Sequence, residues 1–368
     1  MTPAAVKTRL ESMAAPRILL VRNDGLGDLI LTLPVAASIK AQLPRATVSL
    51  LAASPLAGLA RLAPQVDGVV EDPGVLLKRH RGNHSPQEQA RLLAGLEDRL
   101  TAEKFDLALF AYAEAASAAL VWRAGVAVRS GPLRRTFFWR FNTWQKTSRK
   151  NSPWPEYRLN LESLTSLGLA PEYHHPVLVL PPFLEPGSPY VVLHPYKRNT
   201  TALSWPLHNF VALADHFLSL GLAVVAVGDG QDRPVLDSAF GQKPGVRVET
   251  GLDWPGLAGL IGRAKLFVGN SSGPLHLAGW SGTPHVGFFP QNRVSAPSRW
   301  QTLPHPLPAS GGPNTHGLQP PAPGQYLLAP DFPKRCVTCE MDRCPHFNCV
   351  ASIPVERAVA ACRAWGIG

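Results

Sequence analysis

The chain has 368 residues, of which 45 % are hydrophobic and 17 % charged, and it carries a formal net charge of +10. That composition excludes a disordered or collagen-like chain, and the length accommodates two domains of ordinary size. Lys and Arg number 36 against 26 Asp and Glu, a balance that favours anionic partners such as nucleic acid, an acidic membrane surface or phosphorylated substrates. No run reaches about 18 uninterrupted apolar residues, so no spanning helix is expected. The opening MTPAAVKTRLESMAAP lacks the apolar centre of a secretory signal, which predicts a cytoplasmic protein.

Strands and helices alternate in chain order. RILLVRN (17–23) reads as a strand, followed by a Gly turn and one helical pattern, DLILTLPVAASIKAQL. ATVSLLA (46–52) is a second strand, with a helix near 55–62 and a short strand GVV at 68–70. A helix over 86–102 precedes FDLALFA (105–111), and another helix precedes GVAVRSG. The pattern then restarts: strand YVVLHP (190–195), amphipathic helix NFVALADHFLSLG (209–221), strand LAVVAVG (222–228), VRVETG, a helix over 255–264, LFVGN, a helix over 274–281, and HVGFF. Such βαβα order implies parallel sheets with helices on both faces. PPFLEPGSP (181–189) has the composition of a linker, so the expected domains are 1–185 and 186–350, followed by a C-terminal helix within 351–368. Residues 301–330, with eight prolines and four glycines, are expected to form a long surface loop.

The first Gly turn, NDGLGDLI, begins like a dinucleotide fingerprint but does not complete it. Ile30 stands at the third glycine position, and the second strand ends without an acidic residue for a ribose. What remains is Asp28 at the start of a helix, beside Gly25 and Gly27. It is either a helix cap favoured by the dipole or a general base at the mouth of a parallel sheet.

The second turn, LFVGNSSGPLH (266–276), ends a strand in small polar residues and opens a helix with Pro274. Backbone N–H groups of Ser271, Ser272 and Gly273 are expected to converge on a phosphate at the positive helix end, with His276 one turn in. His276 is either a packing residue or a contact to the same ligand.

Taken together, VRNDGLGDLILTLP, HP…SWP at 194–206 and LFVGNSSGPLHLAGWSGTPHVGFFP resemble the family-9 glycosyltransferases, the heptosyltransferases of lipopolysaccharide assembly. The resemblance spans roughly 17–300 and extends to the Cys-containing C-terminal segment. It implies an α/β GT-B fold: two Rossmann-like domains whose parallel sheets face a central cleft, the first binding the acceptor and the second a nucleotide-sugar. The implied activity is metal-independent, inverting transfer of a sugar such as heptose from ADP-heptose, with no required cofactor. Asp28 matches the family's catalytic base, and Ser272, Gly273, Pro274 and His276 match the donor-binding turn. Two positions depart from the pattern. Ser271 stands where many members have an Asp, and Leu203 stands where many have a Lys facing the diphosphate, so Lys197 and Arg198 are the candidate replacements for that charge.

GPLRRTFFWRFNTWQKTSRK (131–150) interleaves basic and aromatic residues without an acid. The composition suits a membrane interface or an anionic glycolipid acceptor, with Arg134, Arg135, Arg140 and Trp139 as its contacts, on the cytoplasmic face of the inner membrane. A helix with a buried aromatic face is the structural alternative. Single-stranded nucleic acid suits the stacking residues too, but no nucleic-acid motif accompanies them, and no nucleic-acid partner is expected. Cys336, Cys339, Cys344 and Cys349 can be drawn as a four-thiolate zinc site or as reduced thiols packed at the domain end. Two readings compete with an active heptosyltransferase: a non-catalytic nucleotide-sugar-binding module, and a family member with a different donor sugar.

Overall fold

The computed structural model describes all residues except 79–82, 150–151, 184–186, 197–202, 242, 291, 293–294, 305–323, 329–335, 337–342, 345–347 and 368. The chain divides into two compact units, Met1–Val179 and Leu180–Gly368.

The first unit is built on six strands: β1 (Arg17–Val21), β2 (Thr47–Ala53), β3 (Gly68–Asp72), β4 (Leu107–Phe110), β5 (Val128–Pro132) and β6 (Thr143–Gln145). They form one parallel sheet in the order β3-β2-β1-β4-β5-β6. Its helices are α1 (Pro3–Ser12), α2 (Leu26–Ile30), α3 (Leu33–Gln42), α4 (Ala57–Ala60), α5 (Pro86–Glu103), α6 (Ala115–Arg123) and α7 (Glu156–Leu161). The central strands are continuous apolar runs because helices cover both faces of the sheet. All four residues of β4 are buried.

The single helix expected after β1 is two helices. Pro34 has no N–H to offer the carbonyl of Ile30, and its ring crowds that carbonyl, so α2 stops at Ile30. The chain restarts as α3 with Pro34 in its first turn, where proline is tolerated. Residues 131–149 are not a helix either. They run from the end of β5 through a 3-10 turn at Phe138–Arg140 into β6. Only Phe141 of the aromatic series is fully buried, its ring edge-on to Phe110 at 5.1 Å.

The second unit repeats the plan with β7 (Tyr190–His194), β8 (Ala223–Gly228), β9 (Val246–Thr250), β10 (Leu266–Asn270), β11 (His285–Phe289) and β12 (Gly324–Leu328), all parallel, in the order β12-β11-β10-β7-β8-β9. Its helices are α8 (Leu207–Ser219), α9 (Arg233–Phe240), α10 (Trp254–Gly262), α11 (Gly273–Ser281), α12 (Pro297–Trp300) and α13 (Val355–Arg363). β12 falls inside the stretch expected to be an uninterrupted Pro-rich loop. The C-terminal helix is part of this unit, since Ala358, Ala361 and Cys362 join the core of Val191, Trp205, Phe210 and Phe288.

Candidate active site

In an open parallel sheet, the crevice for ligands lies at the carboxyl ends of the strands, where the strand order reverses. In the first unit that point is between β1 and β4, and the NDGLGD turn leaves β1 there. Asn23 is held by its amide, which donates to Asp72 Oδ2 at 2.7 Å. The other oxygen of Asp72 accepts the amides of Gly74 and Val75 at 3.0 and 2.9 Å, which fixes the turn to the end of β3.

Asp28 sits in the first turn of α2 with its side chain 24 % exposed. The two-helix break helps to hold it, because Thr32 Oγ1 donates to the Asp28 carbonyl at 2.8 Å. Gly25 makes room for it: a Cβ at that position would meet Asp28 Oδ2 at 2.9 Å. The carboxylate accepts from Arg22 Nη2. Arg22 lies at the end of the β1 segment with its side chain 3 % exposed, and its Nε donates to Asp24 Oδ1 at 2.8 Å. Its Nη1 faces Glu156 Oε1 at 3.6 Å and donates to Asn160 Oδ1 at 3.3 Å, and the guanidinium lies against the Tyr112 ring at 5.8 Å.

A buried cation is tolerated only when paired and hydrogen-bonded. Burial by itself would lower the Arg22 pKa, but Asp24, Asp28 and Glu156 outweigh it and keep the guanidinium charged. Asp28 is shifted the other way. Burial pushes its carboxyl up to about 6; Arg22 opposes the rise, and Asp24 and Glu156 add to it. A partly exposed carboxylate with that proton affinity is ionised at neutral pH and remains a far better proton acceptor than an ordinary aspartate.

In the second unit the strand order reverses between β7 and β10, and the NSSGPLH turn leaves β10 at that point. Asn270 is buried and binds the turn to the preceding segment: its Oδ1 accepts the Trp205 amide at 2.7 Å and its Nδ2 donates to the Pro195 carbonyl at 2.7 Å. Trp205 stacks on Phe288 at 4.1 Å and donates from Nε1 to the Ile353 carbonyl at 2.7 Å. Ser272 caps α11 in extended backbone, with its Oγ 3.3 Å from His194 Nδ1 and 3.0 Å from the Asn270 carbonyl. Gly273 and Pro274 form the first turn of α11, whose leading N–H groups have no acceptor within the helix.

The expected trio of amides is reduced by one, because the Ser271 N–H donates to the Phe288 carbonyl at 2.9 Å and extends the β10–β11 ladder. His276 is buried at 4 % exposure, edge-on to Trp300 at 6.3 Å, and its Nδ1 has no hydrogen-bond partner among the described residues. Burial, reinforced by His285, lowers its pKa to about 3, so the ring is neutral. His194 is neutral too, lowered to about 4 by burial. Leu203 is core, packed with Trp205 and Phe210, and brings no charge to the turn. Lys197 and Arg198 lie outside the described residues.

The basic aromatic stretch presents Leu133, Phe138, Trp139 and Trp144 to solvent, with Arg134 and Arg135 exposed beside them. Trp139 meets Trp122 from α6 edge-on at 6.0 Å, and Arg140 lies over its ring at 4.7 Å. Arg140 is tied down, donating from Nη1 to the Ala115 carbonyl at 2.6 Å. Cys336, Cys344 and Cys362 are free thiols; Cys339 lies outside the described residues, among which no three His, Cys, Asp or Glu side chains gather as metal ligands. No described helix is long and apolar enough to cross a membrane.

Sequence reasoning missed Arg22, Glu156, Asn160 and His194. A charge closing an apolar strand was the available signal for Arg22; nothing local marked Asn160, 138 residues away.

The sequence model of glycosyltransferase family 9 (heptosyltransferase) matches residues 93–306. A putative glycosyltransferase of Haemophilus influenzae is 25 % identical over 320 residues, 78 % of this chain and 86 % of that protein. Lipopolysaccharide heptosyltransferase 3 of Escherichia coli is 26 % identical over 283 residues, 72 % of this chain and 80 % of that protein. Among solved structures, a family-9 glycosyltransferase of Veillonella parvula superposes with a TM-score of 0.73 at 18 % identity, covering 95 % of this chain and 97 % of that one. The E. coli heptosyltransferase WaaC, solved with ADP, gives 0.73 at 15 % identity, covering 95 % and 99 %. With a six-stranded parallel α/β sheet in each unit and more than half of its length matched by the family model, the chain belongs to glycosyltransferase family 9, the heptosyltransferase family.

Proposed function

We propose that the protein is an inverting glycosyltransferase that moves heptose from ADP-heptose onto a lipopolysaccharide-core or related anionic glycolipid. The observation that carries this reading is the Asp28 carboxylate, held by Arg22 at the carboxyl end of β1 with its proton affinity raised to about 6. Asp28 acts as general base: it takes the proton of an acceptor hydroxyl as that oxygen attacks the anomeric carbon, and the bond from that carbon to the diphosphate breaks on the opposite side. The amides at the start of α11 and the Ser272 hydroxyl receive the charge that develops on the departing diphosphate. Gly273 and Pro274 shape that turn, and the neutral His276 offers a ring N–H rather than a cation. Lys197 and Arg198 are the proposed cations for the same phosphates. No metal takes part in this scheme.

On the acceptor side, Arg134, Arg135, Arg140 and Trp139 bind the anionic glycolipid, and the exposed rings around Trp139 support peripheral contact with the cytoplasmic face of the inner membrane. Heptose as the sugar is supported by the likeness to lipopolysaccharide heptosyltransferase 3, and ADP as the carrier by WaaC. Ser271, with its amide engaged in the sheet and no carboxylate to offer a sugar, favours a second reading in which the donor sugar differs.

The test is a thermal-shift screen with ADP-heptose, GDP-sugars and UDP-sugars, followed by transfer to a lipid acceptor extract. ADP-heptose is expected to raise the melting temperature and to give product. A shift and product with another nucleotide-sugar alone would replace the donor, and binding without product from any donor would reduce the protein to a binding module.

A further inference from the structure

Around Asp28 the charges form a partly buried chain, and how Arg22 is shared within it bears on the base. Asp24, from the turn after β1, takes Arg22 Nε, and Asp28, from α2, takes Nη2. The remaining nitrogen is directed at Glu156 from α7, whose side chain is 3 % exposed. Glu156 Oε1 also accepts from Arg149 Nε at 2.8 Å. Arg149 Nη2 donates to Asn160 Oδ1 at 2.6 Å and to the Ala111 carbonyl at 3.0 Å, and Asn160 Nδ2 donates to the Leu31 carbonyl at 2.9 Å, behind α2. Tyr112, after β4, lies against Arg22 and donates its hydroxyl to Glu114 at 3.2 Å. Among the described residues, the Arg22 guanidinium is therefore shared by three carboxylates, Asp24, Asp28 and Glu156.

That sharing bears on how Asp28 behaves. A carboxylate alone with an undivided arginine is stabilised in its ionised form and becomes a poor proton acceptor. We propose, on the reading that Asp28 is the base of the transfer, that Glu156 is a positioning residue: it draws off part of the Arg22 cation, adds its own negative charge, and so keeps Asp28 basic. Arg149 limits this effect by neutralising part of Glu156. The two residues thus act on Asp28 with opposite signs and without touching the substrate.

The experiment is the pH profile of kcat for Glu156→Gln and Arg149→Gln beside the unsubstituted enzyme. In Glu156→Gln a negative charge is gone and Arg22 belongs more fully to Asp28, so the acidic limb moves down by roughly half a pH unit or more. Its plateau rate falls with the weaker base, while KM for the donor stays the same. In Arg149→Gln a positive charge beside Glu156 is gone and its carboxylate acts more strongly, so the limb moves up. Opposite shifts cannot come from a general loss of stability, which would scale the rate at every pH. If Glu156→Gln does not fold, the upward shift in Arg149→Gln, whose side chain is 38 % exposed, decides alone. Limbs that stay in place, or that move the same way, overturn the inference. Asp28→Asn separates the two levels: retained turnover there removes Asp28 as base, whereas lost turnover together with unmoved limbs removes only the role of Glu156.

Discussion

Asp28→Asn should make the protein more stable at neutral pH than at pH 4, relative to its parent, while removing transfer. The carboxyl titrates near 3.8 in an unfolded chain and at about 6 in the folded one, where burial disfavours its charge. A group whose folded pKa is raised contributes stability that is fully present below the unfolded value and is lost as pH rises through the folded one. The gap of about two pH units corresponds to about 3 kcal/mol over the whole titration, of which the parent gives up about 2 kcal/mol between pH 4 and pH 7, the unfolded carboxyl being already more than half ionised at pH 4. Asparagine does not titrate, so the variant gives up none of it. Arg22 keeps Asp24 and Glu156 as partners in the variant, and the loss of its contact with Asp28 adds an offset that does not vary with pH. Urea unfolding of both proteins at pH 4, 5, 6, 7 and 8 measures the difference directly. It should rise by about 2 kcal/mol across pH 4–7 and then level off. A difference that is flat, or that falls with rising pH, would refute the electrostatic picture of the site. The same substitution should lower the transfer rate by about 10²- to 10⁴-fold, the usual range for losing a positioned base.

Three further substitutions probe what holds the two turns and the surface. Gly25→Ala puts a methyl where Asp28 Oδ2 lies 2.9 Å away, so kcat should drop while the melting temperature changes little; unchanged turnover would show that the carboxylate need not sit there. Asn270→Ala leaves the Trp205 amide and the Pro195 carbonyl without their buried partner, and should cost about 2–4 kcal/mol in urea unfolding, the range for such orphaned groups. A loss below about 0.5 kcal/mol, within the scatter of ordinary surface changes, would mean that other groups satisfy them. Replacing Trp122 and Trp139 together by Ala should abolish sedimentation with phosphatidylglycerol vesicles while leaving transfer to a deacylated, soluble acceptor intact. Undiminished vesicle binding would rule out this face as the membrane contact.

The strands were legible because β1, β4, β7 and β10 are short apolar runs, each bounded by Gly, Pro or polar turn residues. The two turns were legible for a related reason: a strand ending in glycines and small polar residues before a helix already has the local chemistry of a sheet-edge ligand site. Pro34 is visible in the sequence too, but the apolar periodicity around it masks its effect on the helix after β1. The Ser271 amide is different in kind. Whether it is engaged depends on the register of β10 against β11, which the local sequence does not carry. The same holds for the charge chain at Asp28, assembled from β1, the segment before α7 and α7 itself, up to 138 residues apart. Residues 131–149 were open to more than one local structure, since alternating rings and charges fit a strand edge as well as a helix face.

The account stands on Asp28 as a carboxylate that accepts a proton during sugar transfer. The direct measurement is the single-turnover rate against pH, with saturating donor and acceptor, for the parent enzyme and for Asp28→Asn. The parent rate should rise with pH along a limb centred near 6 and then level off, and Asp28→Asn should be slow at every pH with no limb. A fast variant, or a variant that keeps the parent's limb, would contradict it.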